Sequence, residues 1–120
     1  MDFYNSSVVG RSDTLISNVY SGLSVTDSVK FNYAYAQYQT ENDRLIVKLS
    51  VDGGLTFPHT IFFKVGATLA TAPATTGVFV PTPSQWATFA YSLGTVLPVE
   101  LKSFTAQTSG NNVNLNWSTA

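Results

Sequence analysis

Residues 29–39 and 44–51 alternate their side chains with a period of two, and that rhythm restricts the chain more than any other feature. In 29–39, Val29, Phe31, Tyr33 and Tyr35 share one face, while Lys30, Asn32, Ala34, Ala36 and Tyr38 share the other. In 44–51, Leu45, Val47, Leu49 and Val51 point one way, and Arg44, Ile46, Lys48 and Ser50 point the other. A period of two belongs to extended strands with one face buried and one wet, not to helices. The polar turn Thr40-Glu41-Asn42-Asp43 between them predicts a central hairpin, with the large aromatic face as the core side.

The rest of the chain also reads as strands, because Val, Ile, Thr, Tyr and Phe recur between Gly and Pro breaks. Strands are predicted at 3–10, 12–17, 60–66, 77–80 and 85–93, with an irregular crossover at 67–76 holding at most one helical turn. In 85–93, Ala87, Phe89, Tyr91 and Leu93 share a face and Trp86 lies opposite. The tail predicts a further hairpin, 99–107 with 113–118, around the turn Ser109-Gly110-Asn111-Asn112. The fold class this implies is all-β, an antiparallel β-sandwich.

The corner after the second long strand, SVDGGLTF at 50–57, has its own chemistry. Adjacent glycines permit positive φ in a tight turn, and the Asp52 carboxylate can accept hydrogen bonds from turn amides. Phe57 can fold in beneath it. The spacing S-x-D-x-G-x-T-F resembles the Asp-box hairpin of sialidases and other secreted β-proteins. That resemblance implies an architectural role for Asp52, Gly53 and Gly54.

Charge narrows the function classes. Charged residues are 11% of the chain and the net charge is −1, with no basic cluster to collect phosphates. Nucleic acid therefore has no electrostatic footprint here. No apolar run reaches the length of a membrane-spanning helix. The absence of cysteine removes disulfides and thiol chemistry together. The opening MDFYNSSVVG has neither a basic region nor an apolar core of signal-peptide type, so the reading is either a cytosolic protein or a piece of a longer secreted chain.

Catalytic groups are sparse. The single histidine, His59, follows Pro58 and reads as an exposed turn residue rather than a triad base. Asp43 and Asp52 sit at opposite ends of one strand, about 30 Å apart, too far for a glycosidase pair. A structural calcium would draw on Asp13, Asp27 and Asp43, with Glu41 beside them, although their spacing matches no loop motif. The sharpest option is sugar binding, since saccharide rings dock on exposed aromatics flanked by polar side chains. Tyr38 and Trp86 lie opposite their strands' apolar sets, with Asn32 and Gln85 as polar companions. The competing reading makes these aromatics ordinary sheet packing.

Two resemblances extend this. The segments DTLIS (13–17), KFNYAYAQY (30–38), NDRLIVKLSVDGG (42–54), VGATLATAP (65–73) and QW (85–86) resemble a MAM-like, jelly-roll β-sandwich module of secreted Bacteroidetes proteins. The tail LPVELKSFTAQTSGNNVNLNWSTA resembles the start of the fibronectin-III-like segment that precedes type IX secretion sorting domains. They imply a jelly-roll module over 1–95 and a C-terminal hairpin over 96–120, on the outer cell surface or secreted. One departure stands out: the further strands of such modules are missing after the QW strand, unless the tail hairpin supplies them. The expected function is a non-catalytic accessory module that binds carbohydrate or mediates adhesion. The alternative is a spacer or protein-interaction module beside a neighbouring enzyme domain. No cofactor other than structural calcium is expected.

Overall fold

Tyr35 is where the first long strand breaks. In the computed structural model, which describes residues 10–97, 101–109 and 112–119, β1 (Ser28–Tyr33) ends before Ala34. The Tyr35 N–H donates to Thr71 Oγ1 at 2.9 Å, and its carbonyl accepts from the Thr71 N–H at 2.8 Å. Tyr35 thereby commits the chain to a partner 36 residues away. β2 (Ala36–Tyr38) follows and ends at Gln39, whose φ is +51°.

The remaining strands are β3 (Arg44–Leu49), β4 (His59–Val65), β5 (Ala72–Thr75), β6 (Ala87–Ser92), β7 (Leu101–Ser109) and β8 (Asn112–Thr119). Short 3-10 turns occupy Gly66–Thr68, Pro83–Gln85 and Leu93–Thr95. The chain is all-β, built from two-stranded ladders: β1 with β6, β2 with β5, β3 with β4 and β7 with β8.

This pairing corrects several expectations. β1 and β3 do not form a hairpin; β1 runs antiparallel to β6, with Phe31 opposite Phe89. β2 and β5 are parallel, so the fold is not purely antiparallel. A parallel pair needs a long crossover, and the β3–β4 hairpin supplies it. Residues 12–17 and 77–80 form no strand, and Leu15, Ile16, Val78 and Val80 are exposed. Neither segment finds a ladder to satisfy its backbone groups. The strand expected at 3–10 lies outside the described residues but for Gly10, a turn residue. In the tail, β7 and β8 match the predicted hairpin, with Ser109 opposite Asn112; the Gly110-Asn111 turn itself lies outside the described residues.

Alternation survives where a ladder exists. In β1, Val29, Phe31 and Tyr33 are half-buried and their neighbours exposed; β3 and β6 repeat the pattern. β4 departs from it, because Ile61 and Phe62 are both buried. Val47 pairs with Phe62 and Lys48 with Thr60, leaving Ile61 as the extra residue of a bulge. A bulge sets two residues against one and lets consecutive side chains turn inward.

Phe62 joins two ladders. Its ring lies 5.3 Å from Phe31, 5.1 Å from Tyr33 and 4.9 Å from Phe89, each in an edge-on arrangement. Such geometry suits the ring quadrupole, adding about 0.5–1.5 kcal/mol per pair beyond burial. Lys64 extends the cluster: its ammonium donates to the Tyr33 hydroxyl at 2.7 Å and sits 5.2 Å from that ring's centre. Among the described residues, the most buried side chains are Ala36, Ile61, Phe62, Leu69 and Leu93. Ala36 was expected on the face opposite the aromatic core side; it is buried, after the break at Tyr35.

Candidate carbohydrate-binding face

The outer face of the β1–β6 ladder is set by the same alternation that buries its aromatics. Asn32 and Thr88 are opposite each other in register, both exposed, and the Thr88 hydroxyl donates to Asn32 Oδ1 at 2.7 Å. With Oδ1 occupied, the Asn32 amide keeps its two N–H donors for a ligand. Trp86 directly precedes β6 in extended conformation and is 51% exposed. Two residues from Thr88, it falls on this face, diagonal to Asn32 and within reach of a long side chain. The β1–β6 register thus sets Asn32 and Trp86, 54 positions apart in the chain, on one face.

The other two predicted contributors stand elsewhere. Gln85 adjoins Trp86 in sequence, but its Oε1 accepts from the Thr82 N–H at 2.8 Å and the Thr82 hydroxyl at 3.1 Å. That closes the 3-10 turn at Pro83 and makes Gln85 a turn residue. Tyr38 lies on β2, half-buried and opposite Thr75, in a different ladder. Sequence reading missed Thr88, whose only signal was its place across from Asn32.

The calcium candidates are dispersed. Among the described residues, no three His, Cys, Asp or Glu side chains come together as a metal site. Asp27 Oδ2 accepts from the Ser24 N–H at 2.7 Å and the Ser24 hydroxyl at 3.1 Å, bracing the turn before β1. Asp43 accepts from the Tyr35 hydroxyl at 3.1 Å. Burial, then the adjacent Asp43 charge, push the Tyr35 phenol up to about 12. Asp13 is exposed in the segment before β1. His59 is not a turn residue: it opens β4, half-buried opposite Leu49.

Asp52 organises the β3–β4 corner. Its Oδ1 accepts from the Ser50 hydroxyl at 2.6 Å and the Thr56 N–H at 2.9 Å, and Oδ2 accepts from the Thr56 hydroxyl. Ser50 Oγ in turn accepts from the Gly54 N–H at 2.8 Å. Gly53 and Gly54 have φ of +74° and +91°, conformations that other residues adopt only with strain. The hydrogen bonds, Ser50 foremost, hold the Asp52 carboxyl well below the usual range. Phe57 is half-buried at the end of the corner.

No family model matches this chain, and neither the curated proteins nor the solved structures contain a match. No helix among the described residues is long and apolar enough to cross a membrane.

Proposed function

We propose that the chain is a non-catalytic accessory module of an exported or cell-surface bacterial protein, and that it binds carbohydrate through the outer β1–β6 face. The observation that carries this reading is Trp86: a large aromatic, half exposed, beside the Asn32–Thr88 pair on a wet sheet face. A saccharide presents apolar C–H faces and a rim of hydroxyls, so it needs an aromatic plane with hydrogen-bonding groups at its edge. Asn32 offers donors and Thr88 an acceptor at that edge. In this reading the two facing ladders belong to a sandwich of jelly-roll type, and the resemblances to secreted modules and to type IX sorting segments supply the setting. Titration of an oligosaccharide panel, followed by tryptophan fluorescence and calorimetry, tests it. Binding that disappears in Trp86→Ala with the fold retained supports it; a blank panel refutes it.

A second reading rests on a different observation. Ile46 and Phe63 oppose each other on the outer face of β3–β4, and both are exposed. As a spacer or protein-interaction module, the chain would cover that pair with a neighbouring domain of its parent protein. Protection of Phe63 from solvent in the larger protein, and not in this chain alone, distinguishes this reading from the first.

A further inference from the structure

Among the described residues, the outer β1–β6 face carries a cation and no carboxylate. Its residues are Ser28, Lys30 and Asn32 on β1, with Thr88, Ala90 and Ser92 on β6 and Trp86 at the end. Lys30 is exposed and sits opposite Ala90, whose small side chain leaves the lysine stem free to lie across the strands. The nearest acidic residue in sequence, Asp27, turns its carboxylate onto Ser24. Among the described residues Lys30 has no ion-pair partner.

Register places these groups in a row. Trp86 comes first, Asn32 with Thr88 next, and Lys30 with Ala90 after that. Each step of two residues is about 7 Å, so Trp86 and Lys30 stand roughly 13 Å apart along the strands. That is the reach of a short oligosaccharide, not of a single ring.

We propose that this face takes an anionic saccharide, a uronate-bearing oligomer lying along the strands. One ring stacks on Trp86, a hydroxyl accepts from the Asn32 amide, and a carboxylate meets the Lys30 ammonium. Charge complementarity argues for this occupant: a single positive charge on an otherwise neutral polar face discriminates between acidic and neutral sugars of one length. The inference rests on the carbohydrate reading and adds the class of sugar.

The test titrates the protein with oligogalacturonate and, in parallel, with a neutral oligosaccharide of equal length, using wild type, Lys30→Gln and Trp86→Ala. Wild type is expected to favour the acidic oligomer by about two- to fivefold, the range of an exposed ion pair. Lys30→Gln removes that preference while keeping the neutral affinity, and Trp86→Ala weakens both. Raising ionic strength from 0.01 to 1 M, where the Debye length shrinks from about 30 to about 3 Å, erases the preference. Equal affinity for the two oligomers, or a preference unchanged in Lys30→Gln, overturns the anionic assignment and leaves the carbohydrate reading standing. Failure of wild type to bind either oligomer, or any member of the panel, overturns both.

Discussion

Replacing Phe62 by alanine separates the two ladders at their point of contact. Phe62 is 5% exposed and meets three aromatic rings within 5.3 Å. A buried Phe→Ala change costs about 3–5 kcal/mol, through lost transfer energy and the cavity left behind. A chain of this size has a total stability of about 5–15 kcal/mol, so the variant retains a fraction of it. The melting midpoint should fall by roughly 12–20 °C. The adjacent Phe63 supplies the control, because it is 56% exposed on the opposite side of β4. Phe63→Ala should cost less than about 1 kcal/mol, as surface substitutions do. Urea unfolding of both variants, followed by circular dichroism, gives the comparison. The contrast depends on the pairing of Phe62 with Val47 and of Phe63 with Ile46, which decides which phenylalanine faces inward. Equal losses in the two variants, or a larger loss from Phe63→Ala, would refute that register and the two-ladder core built on it.

Leu93→Ala should cost about 2–4 kcal/mol in the same assay, since Leu93 is 3% exposed. Gly66→Ala should cost about 1–2 kcal/mol, because φ there is +51° and an added Cβ would press on the Asn42 amide; a neutral effect would show that the turn relaxes freely. The folded Asp52 carboxyl lies below its ordinary value of 3.8, so its stabilising contribution is present above about pH 4 and is lost as pH falls further. Asp52→Asn should therefore destabilise at neutral pH and flatten the acid limb of the stability profile; an unchanged acid limb counts against the corner network. Tyr35 binds its proton more tightly folded than unfolded, so its contribution falls away as pH rises from about 10 to about 12. Spectrophotometric titration should show a late phenol that is lost in Tyr35→Phe.

Local chemistry was legible in the sequence and partner choice was not. The faces of 29–33 and 44–49 and the Ser50-Asp52-Thr56 corner follow from side-chain alternation and short-range hydrogen bonds, which a reader of neighbours can see. The pairing of β1 with β6 joins residues 56 apart, and nothing local to either strand specifies it. The break at Tyr35 depends on Thr71, and the inward turn of both Ile61 and Phe62 depends on a register shift opposite Val47. At the candidate site, Trp86 was readable because it opposes Phe89 in the same strand's rhythm. The Gln85 amide oxygen closes a turn with Thr82, a competition that polarity alone does not reveal.

Among the described residues each ladder has two strands, and this leaves a signature in amide exchange. In the antiparallel pairs, successive N–H groups point alternately to the partner strand and to the open side. Within β1, β3, β4 and β6, slow-exchanging amides should therefore fall on every second residue, with fast ones between. A strand added by another chain would occupy the open side and slow the complementary set. Deuterium uptake at single-residue resolution thus reads strand addition directly, on whichever ladder it happens, without the partner being known beforehand.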